Sequence, residues 1–433
     1  MRHIDDLILY RDMPGDGILR RMTSLMESIE AVSVQEEEAR SLFFGCVGDL
    51  VEMAAAYGFS GNLWHDYLTY LLVNHENAYT LASEIRGAVE GSLNELAFHD
   101  FRIFKELFDY DLTAVGRALG SSQSAVLSDF RPDPNRGILY NARIRDRICQ
   151  LAGRLEEVET TEGFKAEMEQ FYREYGVGSL GLHKAFRITH DADDQPCLLP
   201  ITNIAHVTLD DLVGYEIPKK KLVDNTEAFI NGRRANNCLL YGDAGTGKST
   251  SVKALLNQYY DRGLRIIEVY KHQIRDINAI MAQIKNRHYK FIFFMDDLSF
   301  EEFEVEYKYL KAVIEGDLEK RPENVVIYAT SNRRHLIKED YADKEGRRYA
   351  DMHSSDTVQE KLSLASRFGV AIYFPAPGKK DYNTIVRTLS ARAGLDMDEE
   401  TLLLEANKWE ISHGGFSGRT ASQFIDYLSG QEV

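Results

Sequence analysis

Tyr241-Gly242-Asp243-Ala244-Gly245-Thr246-Gly247-Lys248-Ser249-Thr250 decides the fold class of this chain. It matches the phosphate-binding pattern G-x-x-x-x-G-K-[ST] at every fixed position. Before it, Cys238-Leu239-Leu240-Tyr241 is a short apolar run that reads as a buried strand. After it, Thr250 to Leu256 reads as a helix with Val252, Leu255 and Leu256 on one face. Strand, glycine-rich turn and helix are the setting that separates a phosphate loop from a chance turn. The glycines let backbone N–H groups turn inward around a phosphate. The helix N-terminus adds partial positive charge there, and Lys248 adds a full one. Ser249 is placed to ligate Mg²⁺. Gly242, Asp243, Ala244, Gly245, Thr246, Gly247, Lys248, Ser249 and Thr250 are therefore the expected nucleotide-contacting run.

Downstream, apolar strands alternate with helices. Arg265 to Val269, Phe291 to Met295, Val325 to Ala329 and Ala371 to Phe374 read as strands, with helices over Asp276 to Lys285 and Tyr307 to Leu318. Near-continuous apolar strands separated by helices predict an α/β fold with a parallel sheet covered on both faces. After Pro375-Ala376-Pro377 the pattern is helical to the end, which suggests a small lid.

Four features narrow the chemistry. Phe291 to Met295 runs into Asp296-Asp297, a buried strand ending in two acids, the form of a Walker B motif. Asp296 would hold Mg²⁺ directly or through water, and Asp297 would orient the attacking water. The bland alternative is two acids capping the next helix. Val325 to Ser331 ends at Asn332, placed to bond the γ-phosphate or the lytic water, or else to make an Asx turn before Arg333-Arg334. Arg367, in Ser366-Arg367-Phe368-Gly369, ends a helix just before a sheet strand, where it suits a finger presented to a neighbouring subunit's nucleotide. Arg419, in Gly418-Arg419-Thr420, opens the final helix and could reach back to the phosphates. Their order along the chain makes these assignments support one another.

That order resembles an AAA+ ATPase module over roughly residues 205–433. The resemblance implies binding and hydrolysis of ATP with Mg²⁺, Asn332 in the sensor-1 position, and a homo-oligomer. Asp210-Asp211-Leu212-Val213-Gly214-Tyr215 resembles the segment that wraps the adenine, which adds Val213 and Gly214 as contacts. More narrowly, the chain is similar to a bacterial AAA+ family called "domain of unknown function 815". The residues carrying that likeness include Phe229-Ile230-Asn231-Gly232, Met295 to Glu301, Tyr328 to Leu336, Glu360 to Leu364 and Ser366 to Gly369. The segment from Tyr175-Gly176 through Ala185-Phe186-Arg187 resembles what precedes that family's core. Two departures from the commonest AAA+ pattern stand out. Asp297 replaces the more usual glutamate, which points to slower hydrolysis and to initiator-like or loader-like relatives. Tyr270-Lys271-His272-Gln273-Ile274 lacks the aromatic-hydrophobic-glycine pore loop of unfoldases.

At 433 residues the chain is too long for one ordinary core. Residues 1–188 read as a helical N-terminal domain that recognises a partner, 189–200 as an acidic linker closed by Pro200, 201–375 as the α/β domain and 376–433 as the helical lid. Leu93, Leu96, Ala97, Phe101, Phe104 and Leu107 form one helical stripe, with Ser92 and Glu95 as a capping box. Phe164, Met168, Phe171 and Tyr175 form another that stops at Gly176. Both read as core rather than partner surface. His65 has no ligand-spaced partner and reads as structural, and Tyr341 to Asp356 reads as an exposed loop. The net charge of −17 argues against bulk attraction to nucleic acid or an anionic membrane. Four separated cysteines without a C-x-x-C pair, no apolar leader and no long apolar run point to the reducing cytoplasm. The expected function is an ATPase that remodels or assembles a protein partner. A nucleic-acid loader, or a nucleotide-gated binding module that hydrolyses little, are the alternatives.

Overall fold

The computed structural model describes residues 4–30, 36–121, 123–132, 140–301, 304–315, 321–333, 336 and 364–431. Arg334, His335, Tyr341 to Asp356, Glu360 to Ser363 and the end of the helix expected to reach Leu318 lie outside the described residues. The chain divides into two compact units, Met1–His183 and Lys184–Val433.

The first unit is helical: α1 (Gly17–Glu30), α2 (Glu36–Tyr57), α3 (Leu63–Asn74), α4 (Ala78–Arg86), α5 (Ser92–Phe108), α6 (Leu112–Ala118), α7 (Ala142–Glu157), α8 (Thr161–Tyr175) and α9 (Gly178–Leu182). Most of both apolar stripes is core, but Leu96 is exposed and Leu93 and Tyr175 are only half-buried. Phe101, Phe104 and Leu107 of α5 and Phe164, Met168 and Phe171 of α8 are buried together, with the Phe108 and Phe164 rings edge to face at 5.1 Å. His65 is buried, stacked on Phe108 at 4.6 Å, with Nε2 on the Phe108 carbonyl at 2.8 Å. The Ser92 capping box does not form. Gly91 takes the cap position at φ 76, so Ser92 already lies inside the helix and makes no capping hydrogen bond.

The second unit carries a seven-stranded sheet in the order β2-β1-β4-β5-β6-β3-β7. Its strands are β1 (Ala185–His190), β2 (Pro196–Ile201), β3 (Cys238–Gly242), β4 (Leu264–Glu268), β5 (Lys290–Met295), β6 (Val325–Ser331) and β7 (Val370–Phe374). Every pairing is parallel except β1 with β2. Helices α10 (Glu216–Ile230) and α11 (Lys248–Tyr259) pack Leu222, Phe229, Val252 and Leu255 on one face, against Leu240, Ile292, Val326 and Ile372. The alternate residues Leu239, Ile267, Phe293 and Ile327 are buried as well, so the opposite face is also covered. Between β4 and β6 the chain supplies α12 (Ile277–Ile284) and α13 (Glu306–Glu315), with Ile280, Ile284 and Leu310 buried. Last come α14 (Lys379–Ala393), α15 (Glu399–Ser412) and α16 (Gly418–Ser429) around Tyr382, Val386, Ala406 and Phe424.

The expected linker at 189–200 is instead most of the β1–β2 hairpin. Its acids are turn residues: the Asp191 carboxylate accepts from the N–H groups of Asp193 and Gln195, each at 2.9 Å, and Asp194 sits at φ 58. Pro196 and Pro200 are tolerated because β2 is the sheet's outer strand. The helical reading of 185–188 gives way to β1, which pairs with both β2 and β4.

Candidate functional site

Register brings the site together. Tyr241 pairs with Ser331 and Met295 with Ala329, so β3, β5 and β6 end at one edge of the sheet. Ligands of open α/β sheets bind outside these carboxyl ends. A cavity of about 500 Å³ lies there.

Gly242 leaves β3 at φ 138, where a Cβ would sit 2.0 Å from the Phe374 carbonyl oxygen. Only glycine fits that turn. Gly247 precedes α11 without any side-chain cap, so the helix's first-turn N–H groups are left for an anion. A Cβ on Gly247 would meet Leu212 at 2.3 Å. Lys248 donates to the carbonyls of Gly242 at 2.8 Å and Asp243 at 2.6 Å, and to Asn332 Oδ1 at 3.1 Å. Burial pulls its pKa below the usual lysine value, against the opposing pull of Asp243, Asp297 and Asp296.

Asn332 also donates through Nδ2 to Asp297 Oδ1 at 2.8 Å, so one amide joins the lysine to the second acid. Asp296 Oδ1 accepts from the hydroxyls of Ser249 and of Thr330, the latter at 2.6 Å. The Thr330 oxygen accepts from Asp297 N–H at 2.9 Å. Asp297 itself is left-handed at φ 49, which turns the chain sharply after β5.

The lid closes the far side. Arg419 and Ser422 of α16 line the cavity, and Arg419 N–H meets the Gly245 carbonyl at 3.3 Å. Leu212, Val213, Ile385 and Leu389 make its apolar wall. Arg392 of α14 holds the wall segment through the carbonyls of Asp210 at 2.7 Å and Asp211 at 3.2 Å.

Most of the expected site residues converge here: Ala244, Gly245, Thr246, Gly247, Lys248, Ser249, Thr250, Val213, Asp296, Asp297, Asn332 and Arg419 all line the cavity. Four do not. Gly242 contributes its carbonyl from behind. Asp243 turns away to accept from Ala376 N–H at 3.0 Å. Gly214 lines an adjoining cavity of about 580 Å³. Arg367 lies outside the cavity and is ion-paired with Glu315 of α13. Thr330, Lys253, Ile385 and Leu389 went unread in the sequence. Thr330 alone had a local signal, because it is a polar residue at the end of the apolar strand that runs into Asn332.

The donor set suits Mg²⁺. A hydroxyl and a carboxylate oxygen, Ser249 and Asp296, lie within one hydrogen bond. No group of three or more His, Cys, Asp or Glu side chains suited to a metal occurs among the described residues. Mg²⁺ is commonly held by one or two protein oxygens together with phosphates and water.

A family model described as "Protein of unknown function (DUF815)" matches residues 182–432. The chain belongs to this family. In its second unit the phosphate loop follows β3, the acid pair follows β5, Asn332 follows β6 and three helices follow β7, the order expected of an AAA+ module. Replication factor C subunit 3 of Schizosaccharomyces pombe is 32% identical over 80 residues, 18% of this chain and 22% of that protein. The chain thus spans about a fifth of that curated relative. Two solved structures of Thermotoga maritima RuvB, one described as a Holliday junction branch migration motor, align at 17–18% identity with TM-scores of 0.34 and 0.37. They cover 51–52% of this chain and 63–67% of theirs. No helix among the described residues is long and apolar enough to cross a membrane.

Proposed function

We propose that this DUF815 protein binds ATP with Mg²⁺ in the P-loop cavity, hydrolyses it, and uses the cycle to remodel or assemble a protein partner. The observation that carries this is the single network Lys248–Asn332–Asp297 with Ser249–Asp296, set on one cavity rim. Lys248 exchanges its loop carbonyls for the β- and γ-phosphate oxygens. The α11 N-terminus meets the same charge. The purine lies against Leu212, Val213, Ile385 and Leu389, with Gly214 beside it. Ser249 and Asp296 hold Mg²⁺, which when bound neutralises phosphate charge. Asp297 accepts a proton from, and aims, the attacking water, while Asn332 fixes its carboxylate. Arg419 reaches the phosphates from the lid of the same chain, and Arg367 serves a neighbouring copy in a homo-oligomer.

The partner is read from charge. Residues 1–183 hold 17 Lys and Arg against 30 Asp and Glu, a net of −13, so the helical unit suits a protein partner rather than nucleic acid. A loader-like ATPase on nucleic acid is the second reading, favoured by Asp296-Asp297 and by the partial match to a replication factor C subunit. It requires binding through the second unit, whose 34 basic and 38 acidic residues nearly balance.

The test is turnover and binding in Asp297→Asn. Asparagine keeps the shape and loses the basic carboxylate. ATP binding should stay within about threefold while turnover falls by about 10²-fold or more. Unchanged turnover would remove Asp297 from the reaction.

A further inference from the structure

Asp296 and Asp297 are held by a residue that has no place in the roles assigned so far. Thr330 lies near the end of β6, 1% exposed, and borders the same cavity as Asn332. Its carbonyl accepts from Leu298 N–H at 2.7 Å. Its hydroxyl oxygen accepts from Asp297 N–H at 2.9 Å, and its hydroxyl proton goes to Asp296 Oδ1 at 2.6 Å. A threonine hydroxyl has one proton, so these directions are fixed together: the backbone N–H donates in and the carboxylate receives. One residue therefore grips three consecutive positions, 296, 297 and 298, at the point where Asp297 turns left-handed.

The consequence for Asp296 is asymmetric. Its hydrogen bonds from Ser249, Thr330 and Asp297 N–H all fall on Oδ1. Oδ2 accepts none among the described residues and is the oxygen left for a cation. Ser249 sits in the phosphate loop and exchanges its bond when a nucleotide and cation arrive, whereas Thr330 is fully buried in the sheet and stays. We infer that Thr330 is a positioning residue for the acid pair: it fixes the Asp296 carboxylate so that Oδ2 is presented to Mg²⁺, and it pins the turn that aims Asp297 at Asn332. This rests on the reading that Asp296 serves Mg²⁺. Partners one step outside a metal's ligands typically change metal affinity by about 10–100-fold when removed.

The test follows binding of a fluorescent ADP analogue to the full chain, first in EDTA and then against rising Mg²⁺, in wild type, Thr330→Val, Thr330→Ser and Asp296→Asn. Thr330→Val keeps the shape without the hydroxyl. It should raise the Mg²⁺ needed for half-effect about tenfold or more while leaving metal-free binding within about twofold. Thr330→Ser restores the hydroxyl and should match wild type. If Thr330→Val also loses metal-free binding, Thr330→Ala removes the same hydroxyl without a second apolar branch and should show the same rise. A wild-type Mg²⁺ requirement in either hydroxyl-free variant that keeps metal-free binding overturns the inference. So does a serine variant as impaired as the valine one, which would mean packing. Failure of the underlying reading looks different: Asp296→Asn would then keep the wild-type Mg²⁺ requirement.

Discussion

Asp100 and Asp296 are both carboxylates at the centre of a hydrogen-bond cluster, one in each unit. Asp100 is wholly buried, and its two oxygens accept from the N–H groups of Ile8, Leu9 and Tyr10 at 2.7–3.1 Å. Those bonds close the chain upon itself and leave nothing to offer. Asp296 is exposed to the cavity, takes its bonds on one oxygen, and takes two of the three from side-chain hydroxyls. The same contrast extends outward. In the helical unit, Tyr10 meets Tyr172 at 2.9 Å, Tyr172 meets the Leu72 carbonyl at 2.8 Å, and Trp64 meets the Leu107 carbonyl at 2.9 Å, all buried. These tie segments together. Around Asp296 the linked polar groups instead border the cavity. A buried polar group that satisfies backbone is an element of stability. One that joins other side chains beside a cavity is poised to exchange partners for a ligand.

Arg367 sharpens that division with the largest expected effect. It is the proposed reaction residue that lies away from its own chain's cavity. Arg367→Ala should bind ATP normally and turn over about 10³-fold more slowly or worse. Wild-type specific activity should rise with protein concentration. Mixing Arg367→Ala with Lys248→Ala should restore part of the rate, because one supplies an intact pocket and the other an intact finger. Concentration-independent turnover with no rescue would leave Arg367 a structural partner of Glu315.

The helical unit offers the converse. Asp100→Ala strands three backbone donors in the interior, at a cost of about 3 kcal/mol or more. Urea unfolding followed by circular dichroism should show the loss, with nucleotide affinity of the folded protein unchanged. An altered affinity would break the separation of roles.

Legibility of the sequence followed the same line. The phosphate loop, the acid pair and Asn332 could be read because each sits at a strand end in a local pattern of residue types. Arg419 could be read from its place at the start of the last helix. The β1–β2 hairpin was hidden because Asp191, Asp193 and Asp194 look like linker acids until the Asp191 side chain is seen capping a turn. Ile385 and Leu389 of the apolar wall were hidden because only the tertiary fold brings them to Leu212 and Val213. Asp100 was invisible for that reason too: its partners lie about ninety residues earlier.

A pH effect concerns Asp66, buried in α3, which accepts from the Cys149 thiol at 3.5 Å. Burial raises its pKa to about 7. An unfolded aspartate titrates near 3.9. Between those values the unfolded chain has released its proton and the folded chain has kept it. Stability of the helical unit therefore falls as pH rises through that window, by at most about 1.4 kcal/mol per unit, and levels off above it. Asp66→Asn should flatten the slope, measured as urea midpoints at about pH 5 and pH 7. A slope that persists in the asparagine variant would assign it to other groups.

Calorimetric titration of ATP with Mg²⁺ into the wild type and Lys248→Ala bears most directly on the nucleotide site. One site per chain is expected in the wild type. Loss of the buried ammonium and its charge-assisted bonds should weaken binding by about 3 kcal/mol, roughly a hundredfold or more. Equal affinity in the two proteins, or no binding by the wild type, would contradict the assignment of this cavity to a nucleotide.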